Sequence, residues 1–447
     1  DIMFEWVFLT NRLRSKNTFD KAGLEMLLEE SHQHHDNCSV IDHLHQQNML
    51  GQLAINSSSK SKIEVDEFLK EALYYLVLHE VGHTLGLNHN MKSTQLHDLN
   101  GINDYNKTKD IGLNGSVMDY PAINFNLNSK TKYQYFTDKP GPYDFWAIEF
   151  GYYEESSKTA DSIRREKILI RSTEPALTFG NDADDMRSPG KAIDPRVMIG
   201  DMSSDAIGFA RNRVVMIKKL QDSLLAEYGK GNQSYHDLRT NYLVLTSEWG
   251  IQAGVVSRYI GGVYVDRSFA NQNSTVKPFT AVPLEEQKNA MKFLNEYVFS
   301  PKAFEAPTDL ANYLQQQRRG FGFFSSGEDP KLHDRVLNIQ KSILVHLLHP
   351  ATLQRITDSK LYGNKYDLTE VLKDLTNAIF QADLTGNVNT YRQNLQIEYV
   401  EMLGTVFNSP FFDNISKARI TSQLQTILKA QQTALLTSTG DTKEHRN

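Results

Sequence analysis

The sequence predicts an α+β fold, in which a first domain of mixed secondary structure precedes a mostly α-helical C-terminal region. Three observations predict it. Residues 2–9 (I-M-F-E-W-V-F-L) are short, apolar and aromatic-rich, the pattern of a buried strand. Residues 65–83 carry apolar positions at three- and four-residue steps and run into a cluster of histidines. Beyond Asp201 the same helical periodicity recurs in seven segments: 206–227, 235–259, 284–298, 332–348, 368–380, 387–406 and 417–437. The expected division is 1–155 for the first domain, 156–205 for a connecting segment and 206–447 for the helical domain.

Residues 19–30 have helical period, with Leu24, Leu27 and Leu28 as the apolar face. A histidine-rich stretch follows, with His32, His34, His35, Cys38, His43 and His45. Imidazole and thiolate are zinc ligands, but no spacing here matches a ligand frame, so a solvated helix end and loop is expected. Residues 57–62 form a polar linker. The central helix is expected to start near Val65 and Asp66, with Asp66, Glu67 and Glu71 close to its positive end. Val65, Leu69, Ala72, Leu73 and Leu76 form one stripe, expected to pack under a sheet.

That helix ends in His79-Glu80-Val81-Gly82-His83-Thr84-Leu85-Gly86-Leu87-Asn88-His89, of the form H-E-x-x-H-x-x-G-x-x-H. Positions i and i+4 share a helix face, so His79 and His83 can present imidazoles to one point. Gly86 takes a positive φ at no steric cost and can end the helix, letting His89 return to the same point from a loop. Three neutral imidazoles leave one position of a tetrahedral zinc open, which is the pattern of a catalytic rather than a structural site. Glu80 projects from the adjoining surface, within reach of a water there without being a ligand. H-E-x-x-H alone arises by chance in roughly one chain in a hundred of this length. The added Gly and third His lower that by about a thousandfold.

After the turn-forming Asn114-Gly115 comes Ser116-Val117-Met118-Asp119-Tyr120-Pro121. With the histidine motif it resembles the Met-turn of the metzincin zinc endopeptidases. The resemblance narrows through residues 81–90, 116–121, 141–149 and 192–196 to the large zinc-dependent metalloproteases of Bacteroidetes-type bacteria. It implies a metzincin-like catalytic domain holding Zn2+ through His79, His83 and His89, and Met118 as an apolar floor beneath the metal. It also implies a role for Tyr120 beside the metal in stabilising the transition state. Metzincins place a multi-stranded sheet ahead of the active-site helix, so the single strand run implies that upstream strands lie outside this chain. The chain opens Asp1-Ile2 with neither initiator Met nor signal peptide, as a processed product or fragment would. Secretion to the periplasm, cell surface or medium is implied by the resemblance alone.

Residues 90–114 turn polar, a loop expected beside the cleft. Residues 142–152 read as a helix with Pro142 in its first turn and Gly151 near its end, and resemble the helix that follows the Met-turn in metzincins. Asp144 and Glu149 there are expected to be caps or surface charges. Residues 168–171 (I-L-I-R) suggest a short strand. Asn181, Asp182, Asp184 and Asp185 form an acidic loop, read as a solvated turn because the calcium-loop pattern is missing. Residues 260–265 suggest a strand or hairpin, 318–324 a Gly/aromatic loop, and the polar tail after Ser438 disorder.

A chain of 447 residues can bury a large core. A net charge of −6 with scattered basic residues gives no reason to expect nucleic acid as a partner. No run of about 18 apolar residues is present, so no membrane-spanning helix is expected. The sole cysteine, Cys38, excludes an internal disulfide. The expected activity is hydrolysis of internal peptide bonds in a protein or peptide substrate. Glu80 would accept the proton of a water whose pKa zinc lowers to about 7, then deliver it to the leaving amine. A catalytically silent zinc-binding scaffold and a hydrolase of non-peptide amides remain open.

Overall fold

A computed structural model describes residues 40–57, 62–126, 131–184, 186–228, 233–270, 272, 275–306, 309–316 and 329–446. The strand expected at 2–9, the helix at 19–30, His32, His34, His35, Cys38, Asp185 and the 318–324 loop lie outside these.

The first described element is helix α1 (Val40–Ser57). It corrects the expectation of a solvated helix end and loop at its two histidines. Leu44, Leu50, Ala54 and Ile55 bury one face, and His45 is buried with them. The polar residues on this helix find partners across the fold. His43 Nε2 donates to the Pro121 carbonyl at 2.8 Å. Gln47 accepts from Ile123 N at 2.9 Å and donates to Glu248 at 2.9 Å. Local composition suggested solvent; tertiary partners decide otherwise.

Helix α2 (Lys62–Thr84) starts three residues before the expected point and packs against α1. Leu69, Ala72 and Leu76 are buried as anticipated, together with Phe68 and Tyr75, which the stripe had omitted. Among the described residues the stripe meets α1 and the 120–136 segment rather than a sheet. Phe68 packs its ring against Tyr135 and Phe136, and Tyr75 stacks on Phe136. The opposite face is apolar too: Tyr74, Val77, Val81 and Leu85 are 40–51% exposed.

Because α2 begins early, Glu71 lies in its third turn rather than at its positive end. Its carboxylate instead accepts from Tyr135 N at 2.6 Å and Phe136 N at 3.1 Å. Burial pushes this carboxyl from the usual 4.5 up to about 7, against the pull of those two donors. A raised folded-state pKa means that the folded chain holds a proton the unfolded chain has released. The stabilisation is therefore complete below about 4.5 and is lost as pH rises through about 7. Glu71→Gln removes this titration. Thermal melts of the two proteins should diverge between those pH values, wild type losing up to ~1.4 kcal/mol per unit relative to the variant. Parallel melting curves across that window would refute the assignment.

The polar stretch after α2 is more ordered than a loop. It holds 3-10 turns at Ser93–Leu96 and Gly101–Asn103 and helix α3 (Tyr105–Ile111). Asn90, Lys92, Ser93, Thr94 and Asn114 within it are buried. Helix α4 (Pro142–Tyr152) has the expected bounds, with Pro at its start. Residues 168–171 are not a strand. Helix α5 (Lys158–Leu169) runs through them and continues as a 3-10 turn, Ile170–Thr173. Ser157 caps α5 by accepting from Ala160 N, and Asp161 pairs with Arg164 and Arg165 one turn on. The apolar I-L-I run is only the end of that helix.

The second half is helical, as its periodicity predicts. It comprises α6 (Ala206–Tyr228), α7 (Tyr235–Ser257), α8 (Leu284–Leu294, extended by a π-turn at Asn295–Phe299), α9 (Leu332–Leu347), α10 (Pro350–Asp358), α11 (Leu368–Phe380), α12 (Thr390–Asn408) and α13 (Asn414–Leu435). Strand β1 (Val263–Val265) pairs antiparallel with β2 (Phe279–Ala281), Tyr264 opposite Thr280. The tail is not disordered as expected: α14 (Gly440–Arg446) docks through Arg446 onto the Asp383 carbonyl and His445 onto Gln396. The fold is thus α+β, mostly helical with a small two-stranded sheet. Among the described residues the larger of two hydrophobic clusters runs from Leu44 in α1 to Ile427 in α13, with α6 and α7 against α1. Among the described residues no helix is long and apolar enough to cross a membrane.

Candidate metal centre

The last two turns of α2 carry His79 and His83, their ring centroids 4.8 Å apart. The helix stops at Thr84, and Gly86 follows at φ +84°, a conformation that side chains with a Cβ resist. Leu87 N closes back onto the Gly82 carbonyl at 3.0 Å, which reverses the chain. His89 is thereby returned to the helix end, its ring 4.8 Å from His83 and 5.3 Å from His79. One ligand atom from each of the three lies within 4.8 Å of the others.

Hydrogen bonds on the far side of each ring set the tautomers. His79 Nδ1 donates to the Val117 carbonyl at 2.8 Å, His83 Nδ1 to the Leu87 carbonyl at 3.1 Å, and His89 Nδ1 to Asp182 Oδ2 at 2.5 Å. Carbonyl and carboxylate oxygens only accept, so Nδ1 carries the proton in all three and Nε2 is the ligand-competent nitrogen. The Nε2 atoms of His83 and His89 are 3.1 Å apart. Two nitrogens bound tetrahedrally to one zinc at about 2.0–2.1 Å lie roughly 3.3 Å apart. Burial, with the two neighbouring imidazoles, pushes His79 down to about 3, so it is neutral at physiological pH. This three-nitrogen set fits a divalent zinc ion.

Beneath the rings lies the 116–120 turn. Asp144, in the first turn of α4, organises it: its carboxylate accepts from Ser116 Oγ at 2.5 Å, Val117 N at 2.9 Å and Gly141 N at 2.9 Å. It is therefore more than the cap expected, since one side chain starts α4 and fixes the turn. Met118 is fully buried, with its peptide N–H donating to Ser116 Oγ at 3.0 Å and its carbonyl accepting from Asn90 N at 2.8 Å. The sulfur packs against Gly82 of α2, where an added Cβ would sit 2.3 Å away.

Tyr120 is buried, and its hydroxyl lies 3.1 Å from His89 Nε2. Its backbone is held by Gly200 N, which donates to the Tyr120 carbonyl at 2.8 Å, and by Asp119, which accepts from Tyr120 N at 2.7 Å. The His43 ring stacks on it, centroids 6.0 Å apart. The helical half also reaches this segment, because Arg213 in α6 donates to the Ile123 carbonyl. Glu80 is half-buried at the position after His79, on the adjoining surface of α2.

One residue at the centre escaped sequence reading. Asp182, taken as part of a solvated acidic turn, lies 93 positions from His89 in the sequence and is hydrogen-bonded to it. Burial tends to raise its pKa, but the hydrogen bond from His89, with the charge of Arg187 added, outweighs that and holds the carboxyl below its usual range. No local pattern could have found it.

A family model described as Met-zincin matches residues 61–386, nearly three quarters of the chain. No curated protein and no solved structure matches.

Proposed function

Because the chain belongs to the Met-zincin family, we propose that it is a zinc-dependent endopeptidase cutting internal bonds of protein or peptide substrates. The observation that carries this reading is the convergence of ligand atoms of His79, His83 and His89 within 4.8 Å of one another, with each Nδ1 engaged on a separate acceptor.

When bound, zinc supplies Lewis acidity that polarises a substrate carbonyl and brings a water's pKa to about 7. His79, His83 and His89 would hold it, each with its tautomer already set. Glu80 is the general base: it takes the water's proton and passes it to the leaving amine. The Tyr120 hydroxyl lies 3.1 Å from His89 Nε2, beside the nitrogens that would hold the metal. From that position Tyr120 would donate a hydrogen bond to the developing oxyanion. Met118 supports the helix end from below. Catalysis is assigned to residues 1–155, while 156–205 connect them to the helical 206–447, which backs the 120–125 segment. The likeness to the large Bacteroidetes-type metalloproteases favours substrates met outside the cytoplasm.

The test is elemental analysis together with incubation of the full chain with casein and a peptide library, with and without chelator. The expected result is one zinc per chain and internal cleavage that chelator abolishes and zinc restores. A zinc-loaded chain that leaves every polypeptide intact would be the silent scaffold instead. Release of N-terminal residues alone would overturn the endopeptidase assignment.

A further inference from the structure

We propose that Asp182 is the positioning residue of the metal centre, holding His89 at the angle its ligand role requires; the inference rests on the zinc reading above. The three ligands are not equally prepared by the backbone. His79 and His83 stand on α2, whose geometry fixes their spacing, and each donates Nδ1–H to a neutral carbonyl. His89 comes from the loop after Gly86, which has no helix to set the direction of its ring. Its Nδ1 partner is a carboxylate, at 2.5 Å. A carboxylate behind a ligating imidazole fixes the ring and raises its basicity, so the orienting charge falls on the ligand that the fold constrains least.

The loop that carries Asp182 is fastened to the two residues following His89. Asn90 Oδ1 accepts from Gly180 N at 3.2 Å, Asn90 Nδ2 donates to the Thr178 carbonyl at 3.0 Å, and Met91 N donates to the Gly180 carbonyl at 2.7 Å. Beyond Gly180 a 3-10 turn (Asp182–Asp184) is braced from within: Asp184 accepts from Asn181 N at 3.2 Å, and Asn181 Oδ1 from Ala183 N at 3.2 Å. The Asp182 carboxylate reaches outward from this turn. It is directed at His89 while its side chain stays 56% exposed. Ligand and carboxylate therefore travel on one locally tied unit. Asp182 thereby fixes the ring from its Nδ1 side.

Asp182→Asn keeps an acceptor of the same shape but removes the charge, and Asp182→Ala removes both. Zinc affinity, measured by competition with a chromophoric chelator, should fall about tenfold in the first and up to about a hundredfold in the second. Asp182→Glu, a longer carboxylate on the same exposed loop, should recover part of the Ala loss. The melting temperature of each zinc-free variant should fall only slightly below that of zinc-free wild type, because the Asp182 side chain is half exposed and its hydrogen bond to His89 is a partly solvated tie. Wild-type affinity in both variants, or a fall in zinc-free stability equal to the loss in affinity, would overturn the positioning role. Failure of wild type itself to bind zinc would sink the metal reading instead.

Discussion

Glu80→Gln should bind zinc at the wild-type stoichiometry and lose turnover by about three orders of magnitude, within the range that a positioned general base contributes. The substitution keeps the shape of the side chain and removes only its capacity to take a proton. The metal is unaffected because Glu80 is not among the converging nitrogens: those belong to His79, His83 and His89, while Glu80 stands one residue, or about 100° of helix, away from His79. Elemental analysis and initial rates of peptide cleavage on the same sample separate the two effects. Loss of zinc would make Glu80 a structural support of the ligand set. Survival of activity would remove it from the chemistry altogether.

What could be read in the sequence follows from how local its cause is. His79 and His83 were legible because helical geometry converts a four-residue spacing into a shared face, and His89 because Gly86 can supply the reversal. The helices after residue 206 were legible within a few residues at each end because their apolar faces repeat every three to four positions. Helix α10 escaped notice: it is nine residues long, too short for periodicity to stand out. The three residues I-L-I misled toward a strand because β-branched residues at a helix end look alike in both settings, and the cap at Ser157 lies more than ten positions upstream. The histidines of α1 misled for a different reason, since His43 and Gln47 meet the 121–123 segment only in the folded chain. Asp182 and Asp144 belong to the same class. Each is an ordinary acidic residue until the fold sets it beside His89 or Ser116.

Gly82→Ala should destabilise the protein by about 3 kcal/mol, roughly a hundredfold in the folded-to-unfolded ratio, and weaken zinc binding with it. In an ordinary helix interior the same change stabilises by up to ~1 kcal/mol, so the expected sign is reversed here. The cause is the 2.3 Å between the new Cβ and Met118 Sδ. The sulfur has little room to retreat, since Met118 is fully buried and its backbone is bonded on both sides, to Ser116 and to Asn90. A shift of Met118 moves its neighbour Val117, whose carbonyl orients His79, and pulls on Asn90, which follows His89. One methyl thus disturbs two ligands that it does not touch. Met118→Ala alone should also cost stability, about 2–5 kcal/mol, through the cavity that it leaves. In the double variant the methyl added at position 82 meets that cavity in place of a sulfur atom. Denaturant unfolding of the four proteins should therefore show a favourable coupling of about 1–2 kcal/mol, with zinc affinity partly recovered in the double variant. Strict additivity of the two changes would mean that Gly82 and Met118 are not in contact, and the turn would lose its place as the floor of the centre.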